Sequence, residues 1–189
     1  MVYKATVLRV YSDALGSSTL IGGQLRQSLD PGVNVSAEQV AGSHYPLFGS
    51  VNAVNPRFVF DTYDIVTALD ITGMLGAAVE SEDSGRIGVE LYQMLYDDVG
   101  QIASGSVHRL CRFRKGILVP RQLTCRHQQD AQLSLEFVGI TDGTNAPVIF
   151  AESQASPGAA TDPARYTLGT AVIESVTMAK LQGVTIDFG

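Results

Sequence analysis

The feature that most narrows the fold is the brevity and alternation of the apolar runs. In AQLSLEFVGI (131–140), Leu133, Leu135 and Phe137 share one face while Gln132, Ser134 and Glu136 share the other. Similar runs recur along the chain, each ended by Gly, Pro, Asn, Asp or Ser. The pattern predicts strands over 3–11, 19–28, 86–96, 106–115, 117–126, 131–140, 147–151, 165–175 and 181–188. The expected fold is mostly β, with one short helix, a long β-hairpin and extended loops.

The helix is expected at 62–71, TYDIVTALDI, with Asp61 or Asp64 as N-cap, Gly73 as stop, and Ile65, Val66 and Leu69 as its buried stripe. Residues 30–57 read as a long, turn-rich loop or arm, 80–85 as an acidic turn, and 152–164 as a polar, Pro-containing loop. A chain of 189 residues fits a single β-rich domain spanning 1–189. It can bury enough surface to dispense with disulfides or metals. No signal peptide or membrane-spanning run is evident, so a soluble protein made in the cytoplasm is expected, without a membrane partner.

Recognisable chemistry is sparse. The serines near glycines never form a G-x-S-x-G elbow, and the three histidines are scattered. DSG at 83–85 lies in an acidic turn without the second copy that an aspartic dyad requires. No glycine cluster has the spacing of a phosphate-binding loop. His108, Cys111, Cys125 and His127 are side chains that zinc accepts, but His108 and Cys111 fall on opposite faces of a regular strand. The expectation is a non-enzyme with no catalytic residues, no cofactor and no metal.

Charge placement is the more informative signal. The net charge is −6 and only 17% of residues are charged, which argues against a protein that binds nucleic acid by counter-ion release and favours one that covers its surface by self-association. Against that background HRLCRFRKGILVPRQLTCRH (108–127) gathers nearly half of the cations. Read as a strand, 106–115 carries cations on both faces, which predicts that it projects from the body or meets an acidic partner. Together with the acid-rich 80–98 it forms an expected hairpin over 86–115 with one acidic and one basic arm. The expected subunit interface sets Arg109, Arg112, Arg114 and Lys115 against Glu80, Glu82, Asp83, Asp97 and Asp98 of a second copy. A solvated hairpin with ordinary internal charge pairing is the plainer alternative.

At GILVPRQLTCRHQQDAQLSLEFVGITDGTNAPVIF (116–150), a proline-broken strand, a polar turn, an alternating strand and DGTNAPV resemble structural proteins of tailed-bacteriophage virions, tail-tube proteins most of all. The resemblance implies an antiparallel β-sandwich or barrel core, and a structural protein of the virion, made in the host cytoplasm, that assembles with itself into hexameric rings or tubes. Other virion proteins would be its neighbours, and DNA would pass without specific binding. It leaves open a capsid decoration or baseplate protein. A host-receptor or carbohydrate-binding β-sandwich is a further alternative, with Tyr45, Phe48 and Tyr63 as its stacking residues.

Overall fold

The computed structural model describes residues 2–12, 17–38, 48–72, 87–140, 144, 146–158, 160, 162–178 and 180–189. Its strands are β1 (Val2–Ser12), β2 (Ser17–Ile21), β3 (Gln24–Asp30), β4 (Val33–Glu38), β5 (Phe48–Val54) and β6 (Arg57–Thr62). The helix α1 (Ile65–Thr72) follows, then β7 (Ile87–Tyr96), β8 (His108–Arg126), β9 (Gln132–Ile140) and β10 (Val148–Gln154). The chain ends with β11 (Ala171–Ile173), β12 (Val176–Met178) and β13 (Gly183–Asp187). The fold is mostly β and its ladders are antiparallel, as the alternation predicts.

Nine strands join one sheet, in the order β2-β1-β7-β8-β9-β6-β3, with β10 and β13 also paired to β8. The expected strands 106–115 and 117–126 are in fact one strand, β8, which runs through Gly116. Its first part lies between β7 and β10, and its last part between β9 and β13. Pro120 is tolerated because it sits at a register shift with β9, beyond the residues that β7 pairs and before those that β13 pairs. Gly116 is required by close approach, because a Cβ there would collide with the Phe137 ring and the Val138 carbonyl.

One core spans both parts of the sheet. Val10, Val89, Leu91, Cys111 and Phe113 come from the β1-β7-β8 side, and Phe58, Phe60, Leu118, Leu133, Leu135 and Phe137 from the β8-β9-β6 side. Phe113 bridges them, with ring centroids 5.9 Å from Phe58 and 5.4 Å from Phe137. The inward set Leu133, Leu135 and Phe137 is the one that the alternation selects. On the reverse face Tyr92, Met94 and Leu110 form a smaller cluster.

Several expectations are corrected. The strand predicted over 19–28 is split at Gly22–Gly23, and its halves become β2 and β3, the two edges of the ordered path. Gly23 takes a positive φ of 58°, and the corner is pinned from below. The Thr62 hydroxyl donates to Gly22 O at 2.7 Å, Gly22 N–H donates to Asp64 Oδ2 at 3.2 Å, and Tyr63 N–H donates to Gly23 O at 3.0 Å. The helix begins at Ile65, and its buried stripe is Ile65, Ala68 and Leu69 rather than Val66, which is 59% exposed. That is the i, i+3, i+4 spacing of one helical face. Gly73 lies outside the described residues. The region 30–57 is no structureless loop, because β4 and β5 pair within it as a separate two-stranded sheet. The strand expected over 165–175 is limited to Ala171–Ile173, because Glu174 and Ser175, with φ of 47° and 67°, form the turn into β12. No helix among the described residues is long and apolar enough to cross a membrane.

Replacing Gly116 with alanine forces the Phe137 ring and the β9 backbone apart, at a cost of about 1–3 kcal/mol. Gly169, where an added Cβ meets nothing within 4 Å, serves as control. Thermal unfolding monitored by circular dichroism should show a clear fall in Tm for Gly116→Ala and little change for Gly169→Ala.

Candidate functional site

The expected hairpin exists, but it does not project. β7 and β8 pair from Ile87↔Gly116 to Gln93↔Arg109, with β1 on the far side of β7 and β10 on the far side of β8. His108, Leu110, Cys111 and Phe113 are buried. Cations on both faces do not keep this strand out of the core, and the physical reason is a carboxylate in the adjacent strand.

Glu90 is that carboxylate. Its side chain is 2% exposed, and it stands in register between Arg9 of β1 and Arg112 of β8. Arg9 Nε donates to Glu90 Oε2 at 2.6 Å, and Arg112 Nη2 lies 2.5 Å from Oε1. The Tyr92 hydroxyl donates to Oε2 at 3.1 Å and accepts from Arg9 Nη2 at 2.9 Å. Burial, followed by the Glu90 charge, raises the Tyr92 phenol above its ordinary range, so the hydroxyl stays a donor. The guanidinium groups remain partly solvated, with Arg9 29% and Arg112 40% exposed, so a buried acid is balanced by cations that keep contact with water.

A second group repeats the arrangement beyond the bend of β8. Glu136 of β9 is 8% exposed and takes Arg121 Nε at 2.7 Å and Arg57 Nη1 at 3.5 Å. Arg121 Nη1 also donates to Gly189 O at 2.5 Å, which ties the C-terminal end to the same group. Each set is an acid on a middle strand flanked by arginines from the strands on either side. Sequence reasoning placed Glu136 on the polar face and Glu90 among the hairpin acids, without assigning either a partner. The available signal was an acid inside an apolar strand facing an arginine-bearing one, and it becomes readable only when the register is known.

The residues expected at a subunit interface are dispersed. Arg112 is engaged with Glu90, and Arg109 Nη2 pairs with Glu152 at 3.2 Å on the surface. Arg114 and Lys115 are half-buried along β8. Asp97 shapes the β7–β8 connection, where its Oδ1 accepts from Val99 N–H at 3.0 Å and Gln101 N–H at 2.8 Å, while Asp98 is exposed beside it. Glu80, Glu82 and Asp83 lie outside the described residues, as does Tyr45. Of the aromatics considered for stacking on a glycan, Tyr63 is half-buried under the Arg165 guanidinium, 5.3 Å from its ring centroid.

His108 is fully buried, and its Nδ1 accepts the Leu95 N–H at 3.1 Å, which ties the two strands together at the turn end of the hairpin. Burial raises the Cys111 thiol to about 11 and pushes Cys125 up as well. Among the described residues no group of three His, Cys, Asp or Glu side chains is placed to hold a metal. No protein-family model, curated protein or solved structure matches this chain.

What the surface offers is apolar side chains and open strand edges. Phe150 on β10 is 69% exposed beside a groove of about 260 Å³ lined by Gln93, Arg109, Leu110, Cys111 and Ala151. Val172, Val176 and Met178 of the β11–β12 hairpin are exposed. Among the described residues β2, β3, β10 and β13 each have one sheet neighbour.

Glu90→Gln removes the charge that balances both arginines, and because those can rehydrate the loss should be about 2–3 kcal/mol by chemical denaturation. Glu152→Gln, in an exposed pair, should change stability by about 0–1 kcal/mol. The raised Cys111 thiol is neutral when folded, so its contribution is present below the ordinary thiol range and lost as pH rises toward about 11. At neutral pH a thiol reagent should label Cys125 in the native protein and reach Cys111 only on unfolding.

Proposed function

We propose that this chain is a non-enzymatic structural subunit that assembles with copies of itself into rings or tubes, and that it serves as a tail-tube protein of a tailed-phage virion through which DNA passes unbound. The observation that carries the reading is the pair of open edges on one part of the sheet. β2 and β10 bound the array β2-β1-β7-β8-β10, and each has its outer backbone groups without a sheet partner among the described residues. Four antiparallel steps separate them, so they run in the same direction.

An edge of this kind is a template for another strand. Joining β10 of one copy to β2 of the next keeps all copies in one orientation, a heterologous contact that closes into rings or continues as a tube. The residues 148–151 are Val, Ile, Phe and Ala, with no charge or proline among them, and the exposed Phe150 supplies an apolar anchor beside the edge. The low charge content fits a surface that is covered by sister subunits. The phage assignment rests on the sequence resemblance over 116–150, whose proline-broken strand and alternating strand are the end of β8 and β9.

Negative-stain microscopy and sedimentation across a concentration series test the reading. Rings or tubes should form as concentration rises, and Phe150→Asp should leave a folded monomer that no longer assembles. A wild-type chain that stays monomeric throughout, or a Phe150→Asp variant that assembles normally, would reject it.

A further inference from the structure

The C-terminal segment is attached to the body at two places and carries a hairpin between them. The first attachment is at 163–167. Ala131 N–H donates to Tyr166 O at 2.6 Å, Arg165 Nη1 lies 3.1 Å from Asp130 Oδ2, and Asp130 and Thr167 form an isolated bridge. The second is β13, which pairs with β8 from Gly183↔Arg126 to Asp187↔Gln122. Between them, residues 168–182 carry the β11–β12 hairpin, whose Val172, Val176 and Met178 are 61%, 65% and 41% exposed. This stretch stands off the β8–β9 turn, leaving a hollow of about 660 Å³ lined by His127, Leu168, Met178, Lys180 and Leu181.

We propose that β13 is an exchanged strand, which in the assembled protein occupies the β8 edge of a second copy. The inference rests on the self-assembly reading and names one of its contacts. The receiving edge is complementary to β13 by construction, because the register Val184↔Cys125, Thr185↔Thr124 and Ile186↔Leu123 and the Arg121 contact to Gly189 are reproduced unchanged when the strand comes from a neighbour. β13 is lightly held at home, with Val184 half-buried, Thr185, Asp187 and Phe188 exposed, and Ile186 46% exposed. Exchange of an identical element is a low-cost route to association. The linker also reaches far enough: extended, 168–182 spans about 50 Å, against a radius of gyration of about 16 Å for a domain of this length. Exchange places the β11–β12 hairpin between two bodies, where its apolar side chains acquire a second surface.

Thr124 and Thr185 provide the test. The hydrogen bonds that bracket the pairing, His127 N–H to Gln182 O and Phe188 N–H to Arg121 O, both 3.0 Å, make Thr124/Thr185 a non-hydrogen-bonded pair. Such pairs bring Cα atoms to about 4.5 Å, within disulfide range. In a Cys125→Ser background, chains carrying Thr124→Cys are co-expressed with mass-tagged chains carrying Thr185→Cys and treated with a mild oxidant. Exchange yields a disulfide-linked dimer of the two different chains, and the Thr124→Cys/Thr185→Cys double variant yields a ladder of linked oligomers. A double variant that closes only within single chains, with no linked dimer from the mixture, overturns the proposal. If rings are still seen, exchange alone is rejected; if the protein is monomeric throughout, self-assembly is rejected with it. A double variant that forms no disulfide at all removes the β13–β8 pairing and overturns the proposal as well.

Discussion

The fold depends on neutralising a cationic strand at the centre of a sheet. β8 brings Arg112 and Arg121 through the middle of the sheet, where an uncompensated charge would be costly. Glu90 and Glu136, one on each side of the bend, are the compensating groups. Each sits on the strand next to β8 and faces away from the phenylalanine core, so the inner face of the sheet stays apolar while the outer face carries the ion pairs. The arginine stems lie along the sheet and their heads reach water, which keeps the desolvation cost below that of a fully sealed pair.

The same strand explains the shape of the core. Because β8 changes neighbours along its length, the two parts of the sheet meet over Phe113, Phe58 and Phe137 instead of extending side by side. Gly116 permits that approach and the Gly22–Gly23 corner completes it. The corner links the two ends of the ordered path through Gly22, held by the Thr62 and Asp64 side chains, and Gly23, held by the Tyr63 N–H.

Much of this was legible in the sequence where one local signal governs. The alternation of Leu133, Leu135 and Phe137 identifies β9 and its inner face, because one face is dry and the other wet. The helix is recognisable, but the spacing does not reveal that Val66 faces solvent. Where two signals compete, reading residue by residue fails. Gly22–Gly23 lies inside an apparently continuous strand, and only the pinning by Thr62, Tyr63 and Asp64, far away in sequence, turns it into a corner. The cations of 108–115 look like a surface until Glu90 is set in register against Arg112. Arg109 and Arg112 have carboxylate partners in their own chain, the internal pairing that the plainer alternative expects.

A single strand common to both parts of the sheet has a thermodynamic corollary. Neither part can melt while leaving β8 intact for the other, since each loses its central hydrogen-bonding neighbour and its share of the phenylalanine contacts at once. The body is thereby built for all-or-none unfolding. The peripheral hairpins, bound to the body by few bonds, are free to fray at much lower free energy.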